Sequence, residues 1–355
     1  MSDRKTIRWG ILGTARIATK VAEAINSTAG AEVAAVASRS AERAESWAEK
    51  HGIGRSYRSY QALLENDELD AIYVPLPPSM HAEWTIRAAE VGKHVICEKP
   101  IAMNATQAEE MAAACRENNV QLMDATMWVH HPRAADMLKP IQDGTLGELR
   151  RVTAAFGFVI DPYLQQKPPH MACDPDTGRV RLEEIVNHEL RFQRQLGGGA
   201  LLDTGWYCVR VALWAFGDLP RQVFANARYR HDVDINLSGL MWYDNDRVAS
   251  FDCGYDLAVR KWFEIAGSKG SLVCDDFLNP WNPEKPRFWV HEETGKADER
   301  VSTASLQEQC MIENFCDIVR SDKLDPTWPT VSIANQRICD ALDKSARSAS
   351  VVDVV

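Results

Sequence analysis

Apolar residues along the first third of the chain follow two patterns in alternation. Short continuous runs such as "IRWGILG" and "AEVAAVA" are each followed by a stretch whose apolar residues return at helical spacing. In "RIATKVAEAIN", Ile17, Val21 and Ile25 fall on one helical face, and "SAERAESWAEKHG" reads as a helix closed by Gly52. The rhythm continues through "DAIYVPLP", a helix from Ser79 to Val91 with Gly92 as its stop signal, "HVICEKP", a helix after Asn104, and "VQLMDAT". Strands separated by helices of this length predict an α/β unit over residues 1–124, built on a parallel Rossmann sheet covered on both faces. Ligands of such a sheet sit at the carboxyl ends of its strands.

From residue 125 to 355 the pattern changes. One helix, "PRAADMLKPIQDG", precedes a strand-like "LRRVTAAFGFVI", and later come "QVFANARYR", "INLSGLMWY", "RVASFDCGYD", "KWFEIAG" and "SLVCDD". Turn residues in "YDNDR" and "GSKGS" join neighbours as hairpins, which predicts an α+β domain with a largely antiparallel, open sheet. A final helix over about Val331–Arg347 is expected to pack back toward the first domain. The polar, Pro- and Gly-bearing segment Gln166–Val186 reads as a loop or insertion.

Composition narrows the classes of function. A chain of 355 residues, 45% of them hydrophobic, supports two cores. The formal net charge of -10 comes without a long basic block, which argues against nucleic acid as a partner and for a small molecule. No segment reaches the roughly 18 uninterrupted apolar residues of a membrane span, so no membrane insertion is expected. "MSDRKTIRWGILG" runs straight into the first motif, unlike a signal peptide, and the nine cysteines are odd in number and lack a CxxC pair. Reduced thiols and a cytoplasmic protein are the expectation.

"GILGTARIATK" has the form of a dinucleotide-binding fingerprint, with Gly13, Ala15 and Ala18 at its three small-residue places. Alanine at the second place adds a methyl group where the backbone should approach a pyrophosphate. The context supports a working site, since the motif follows a strand and opens a helix whose N–H groups attract anions. Gly13, Thr14, Ala15, Arg16 and Ile17 are therefore candidate cofactor residues. The second strand ends in Ser38, Arg39 and Ser40 rather than in a carboxylate. Hydroxyls and a guanidinium bind a ribose 2′-phosphate, which favours NADP over NAD. Against this stands the plainer reading, in which Ser40 caps a helix and Arg39 is a solvated surface arginine.

At "CEKP" the case sharpens, because Glu98, Lys99 and Pro100 close a parallel strand where this fold holds its ligands. With the fingerprint, "VPLPPSMHAEW", "MWVHHPR" and "GGGALLDTGWY", the chain resembles the glucose-fructose oxidoreductase / inositol dehydrogenase (Gfo/Idh/MocA) family over almost its whole length. Its branch is similar to the one holding dimeric dihydrodiol dehydrogenase, xylose dehydrogenases and plant oxidoreductase-like proteins. The resemblance implies Lys99, Asp203 and Tyr207 as catalytic residues, a cis bond before Pro100, and tolerance of alanine in the fingerprint. Pro75, Leu76, Glu98 and Lys99 are further candidate cofactor residues. His81, which with Ser79 begins a helix at a strand's carboxyl end, is a candidate contact of the nicotinamide ribose, with an N-cap serine and a surface histidine as the equally weighted plainer reading. Tyr207 stands where the inositol dehydrogenases have histidine, and Val129 where sugar dehydrogenases often have arginine.

The residues suit hydride transfer at a carbinol or carbonyl carbon, which requires one proton to move at the substrate oxygen. Tyrosine can move it, and a nearby lysine ammonium favours the tyrosinate. Lys99 and Tyr207 make a sensible pair if the two domains bring them together. Asp203, four residues before Tyr207, would share its helical face. Trp128 and Arg191 are further candidates for substrate contact, with a core and a solvated role as the plainer readings. "NHELRF" lacks the second histidine of a zinc protease motif, and no metal is expected. The expectation is an NADP(H)-dependent oxidoreductase, with NAD as the other cofactor. Its substrate would be a sugar, sugar derivative or cyclic polyol, and the protein a homodimer or homotetramer. Two rivals are a non-catalytic dinucleotide sensor and a glycosidase that recycles its cofactor within each turnover.

Overall fold

A computed structural model of the chain describes residues 6–160, 189–230 and 232–355. The expected loop at Gln166–Val186 lies outside the described residues. Two compact units account for the chain: residues up to Ala135 with Ala304–Ile333, and those between Asp136 and Thr303 with Ala334–Val355.

The first unit holds strands β1 (Ile7–Leu12), β2 (Ala31–Ala37), β3 (Arg55–Tyr57), β4 (Ala71–Val74), β5 (His94–Cys97) and β6 (Leu122–Asp124). They form a parallel sheet in the order β3-β2-β1-β4-β5-β6. β1 and β4 are buried nearly throughout, as strands covered on both faces must be. Helices α1 (Arg16–Ser27), α2 (Ala41–His51), α3 (Tyr60–Leu64), α4 (His81–Glu90) and α5 (Ala105–Glu117) connect them. Local signals set their ends. Ser40 and Asn104 accept the backbone N–H groups of Arg43 and Gln107, and Gly52 adopts the left-handed conformation that stops α2. The sheet order reverses between β1 and β4, and at such a switch point the strand ends open a crevice for ligands.

After α6 (Pro132–Gln142) comes β7 (Leu149–Gly157) of the second unit. The helix α7 (Trp206–Phe216) follows, then β8 (Gln222–Arg230), β9 (Val233–Trp242), β10 (Val248–Gly254), β11 (Arg260–Gly267) and β12 (Gly270–Cys274). β13 (Arg287–Glu292), β14 (Ala297–Val301) and the short β15 (Val352–Asp353) complete nine strands in the order β14-β13-β12-β11-β7-β10-β9-β8-β15. Every neighbouring pair is antiparallel except β7 and β10. One face packs on α7, with Trp214 against Phe263 and Tyr207 against Phe156. The other carries the cross-strand row Phe224, Leu240, Ser250, Thr153, Glu264, Val273 and Trp289, none of them buried.

The segment returning to the first unit is α8 (Gln307–Arg320), which the sequence reading did not assign. Its Met311, Ile312, Phe315 and Cys316 join the core of Trp9, Ala18, Val21 and Ile25, and the rings of Trp9 and Phe315 lie 5.1 Å apart. The helix expected over Val331–Arg347 is α9 (Thr327–Ser348), of which Ala334 onward belongs to the second unit. No described helix is long and apolar enough to cross a membrane.

Candidate active site

The fingerprint turn leaves β1 at the switch point. Gly13 has φ +104, which an L side chain rarely adopts, and its N–H donates to Ala37 O at 2.8 Å. Ala15 has φ -63 and ψ 155, ordinary extended geometry that asks for no glycine. Ala18 is fully buried, the small residue that close helix-strand packing needs. Ala15 caps α1 without a side-chain hydrogen bond, so no side chain of the cap occupies the N–H groups of the first turn. Thr14, Arg16 and Ile17 surround that turn, Arg16 exposed and the other two half-buried.

At the end of β2, Ser38 is buried and its Oγ accepts the N–H of Ser40 at 3.3 Å. Ser40 accepts from Arg43 N at 3.3 Å, so the plainer reading of Ser40 as a helix cap describes its contacts. Arg39 is exposed and hydrogen-bonds Tyr60, whose hydroxyl lies 3.9 Å from where a Cβ on Gly13 would sit. Burial raises the Tyr60 phenol against the opposing pull of Arg39 and Arg43. Tyr60 and Arg43 were missed in the sequence. Only the spacing of Arg43 within the first turn of α2 hinted at its place, and nothing local pointed to Tyr60.

At the ends of β4 and β5, Pro75 and Leu76 are buried. His81 is fully buried, with Nδ1 2.9 Å from Pro100 O and Nε2 2.7 Å from Leu76 O. Burial holds its pKa below the ordinary value, while these carbonyls pull it up. The expectation that His81 touches a ribose is thereby corrected, since both ring nitrogens face protein carbonyls. The histidine instead ties the Leu76 turn to the loop after Lys99. Glu98 accepts the Tyr73 hydroxyl at 2.6 Å and the Lys99 N–H at 3.2 Å. Burial raises its carboxyl, opposed by Tyr73 and Lys99. Lys99 is half-buried, and the Lys99–Pro100 bond is cis. Trp128 is 1% exposed and offers no ring face to a sugar, which corrects its reading as a substrate platform and makes it a core residue.

In the second unit a π-turn over Leu201–Gly205 feeds α7. It carries Asp203 and, two residues past its end, Tyr207, both half-buried. Such turns are rare and recur at functional sites. The Tyr207 ring meets Phe156 edge-on at 5.6 Å. Asp203 Oδ2 accepts Arg191 Nε at 2.7 Å and lies 3.3 Å from the Tyr255 hydroxyl. Arg191, read as a substrate residue, thus directs its guanidinium to Asp203 and to Glu189. Tyr255 and Glu189 went unnoticed in the sequence. Among the described residues no group of three or more His, Cys, Asp or Glu side chains could hold a metal ion.

Residues 7–126 match the oxidoreductase family with an NAD-binding Rossmann fold, and residues 135–273 match the GFO/IDH/MocA C-terminal domain. The chain belongs to the Gfo/Idh/MocA oxidoreductase family. It is 33% identical to the dTDP-3,4-didehydro-2,6-dideoxy-alpha-D-glucose 3-reductase of Actinomadura kijaniata, over 98% of this chain and 97% of that one. It is 29% identical to D-xylose 1-dehydrogenase (NADP(+)) 2 of Haloferax volcanii, over 98% and 99%. The crystal structure of a 3-ketoreductase from Actinomadura kijaniata with NADP and TDP-benzene superposes with a TM-score of 0.84 at 31% identity, covering 96% of this Gfo/Idh/MocA chain and 98% of that chain.

Proposed function

We propose that this oxidoreductase moves a hydride between NADP(H) and a carbon bearing a hydroxyl or ketone in a sugar, sugar derivative or cyclic polyol. The observation that carries the reading is the presentation of Asp203 and Tyr207 from a single turn, in a chain that also carries the intact Gly13 turn and Lys99. The sugar reductase and xylose dehydrogenase relatives support the substrate class.

The residues fit the cofactor. The Gly13–Ile17 turn offers first-turn N–H groups to a pyrophosphate. Ser38 and Arg39, with Arg43 and Tyr60, would hold the 2′-phosphate, and no carboxylate stands at Ser38–Ser40 to repel it. Pro75, Leu76, Glu98 and Lys99 would hold the nicotinamide half. When bound, the cofactor supplies or accepts the hydride. Tyr207 moves the proton at the substrate oxygen, Asp203 orients the polar groups around it, and Lys99 is the further catalytic residue that the family resemblance implies.

Tryptophan-to-nicotinamide energy transfer, followed as NADPH or NADH is added, tests the cofactor. Tighter binding of NADPH is the expected result, and binding of neither by cofactor-free protein would move the reading to a fingerprint in form only. Tyr207→Phe should lower turnover by about 10²-fold or more, the scale of general acid–base catalysis, while leaving NADPH affinity in place. Equal loss of turnover and affinity would sink the assignment.

We also propose a cytoplasmic homodimer or homotetramer. The eight described cysteines are all free, which suits a reducing compartment. The sheet row from Phe224 to Trp289, with Leu240 39% exposed, supports self-association.

A further inference from the structure

Asp203 Oδ2 is gripped from two directions by side chains that are themselves fixed. Arg191, whose Nε donates to it at 2.7 Å, also pairs with Glu189 at 3.1 Å and lies 5.8 Å over the Phe158 ring. The single Tyr255 O–H is shared between two acceptors, Gly199 O at 2.8 Å and the same Asp203 oxygen at 3.3 Å. Tyr255 is 0% exposed, with the rings of Phe158 and Phe192 each 6.0 Å away.

Glycines make this closeness possible. A Cβ on Gly198 would lie 2.7 Å from the carbonyl oxygens of both Leu190 and Arg191, so only glycine lets the Arg191 backbone approach this turn. Gly199 has φ +124, where a side chain would also run into the Asp234 carboxylate. Asp234 in turn accepts the Leu201 N–H at 2.6 Å and anchors the start of the π-turn. The triple glycine of "GGGALLDTGWY" is thus a seat for Asp203.

The chemistry of the two partners suits a holding role. Burial, then the Asp203 carboxylate, push the Tyr255 phenol well up, so it keeps its proton and donates it in a hydrogen bond. Burial works against charge at Arg191, yet Asp203 outweighs it and holds the guanidinium above its ordinary value. Glu189 and Asp234 are the other carboxylates close to this group.

We propose that Arg191 and Tyr255 are positioning residues that hold the Asp203 carboxylate ionised and fixed ahead of Tyr207. The catalytic meaning of this lock rests on the reaction proposed above. Arg191 places its charge on Asp203 and Glu189 rather than on an anionic substrate, and proton transfer is left to Tyr207.

The test compares the full chain with Tyr255→Phe, Arg191→Lys, Arg191→Ala and Asp203→Asn at equal folded fraction, using NADP+ with D-xylose and levoglucosan as probes. Tyr255→Phe keeps its ring packing and should lose about tenfold in kcat, the scale of a small misplacement in a reacting geometry, with NADPH affinity unchanged. Arg191→Ala should lose about 10²-fold and shift the acidic limb of the pH–rate profile to higher pH, because a carboxylate without its cation protonates more readily. Arg191→Lys should recover part of both. Wild-type kcat and an unshifted acidic limb in Tyr255→Phe and Arg191→Ala would overturn the proposal.

A second readout needs no turnover. In nitrogen-15 NMR of the arginine side chains, the Arg191 Nε–H should exchange slowly with water in the wild type, faster in Tyr255→Phe, and freely in Asp203→Asn. Free exchange in the folded wild type would overturn the lock. If the wild type binds NADPH and oxidises neither sugar, the substrate reading fails, and this exchange comparison still decides the positioning.

Discussion

Arg39 and Asp234 show how far a single side chain can be read from its surroundings. Arg39 is exposed, flanks the buried Ser38 and touches Tyr60, and on the function proposed above its charge would meet the 2′-phosphate. Arg39→Ala should weaken NADPH binding by about 1.5–3 kcal/mol, the range for a hydrogen bond to a charged group, and leave NADH binding nearly unchanged. Parallel titrations with the two cofactors check this, and equal weakening of both would separate Arg39 from the phosphate. Asp234 carries a stability signature instead. Burial raises its carboxyl from 3.8 to about 7. Between those values the folded chain holds a proton that the unfolded chain has released. The stability from that proton is therefore full at low pH, declines by about 1.4 kcal/mol per pH unit across the window, and is gone above about 7. Denaturant melts from pH 4 to 8 should show the decline, and Asp234→Asn should flatten it.

In the turns and helices that build the site, backbone geometry decides which residues are replaceable. Gly13 at φ +104 and Ala15 at φ -63 occupy neighbouring fingerprint places with opposite demands. Gly13→Ala should weaken NADPH binding at least about tenfold, because a left-handed conformation costs an L residue about 1–2 kcal/mol and the new Cβ would lie 3.0 Å from Leu76 Cδ2. Ala15→Gly should stay within about twofold, since no strain is there to relieve. The same titration reads both, and a large gain for Ala15→Gly would mean that the methyl group does obstruct the pyrophosphate. His81 works at this scale too, since one imidazole links the turn after β4 to the loop after β5.

For the molecule as a whole, the second sheet packs one face on α7 and carries on the other a row of half-buried residues in which Leu240 is exposed. In that row Phe224, Leu240, Val273 and Trp289 are interrupted by Ser250, Thr153 and Glu264. Such mixed character fits a partner surface better than an internal core. Sedimentation equilibrium should therefore return at least twice the chain mass of 39.8 kDa. Leu240→Glu, at a 39% exposed position, should shift the distribution toward the single chain without loss of folding. A wild type that sediments as one chain at micromolar concentration would refute the assembly.

Periodicity and local signals carried much of this architecture. Parallel strands, the helices between them and the hairpin strands from Gln222 to Asp276 were legible, because their apolar spacing, caps and turn residues act within a few positions. The fingerprint was legible as a local pattern of small residues between a strand and a helix, whereas the roles expected of Lys99, Asp203 and Tyr207 came from the resemblance to the family and not from spacing. β13, β14 and α8 were not read, since short or weakly marked segments become strand or helix only when a neighbour supplies the other side. The seat of Asp203 was beyond local reading as well. Arg191 and Tyr255 lie 12 and 52 positions from it, and Tyr60 lies 21 from Arg39. Which distant side chain reaches a carboxylate, and whether Trp128 or His81 faces solvent or core, depends on how strands and helices pack. Packing chooses among partners that are chemically equivalent along the chain, so these contacts appear only once the chain has folded.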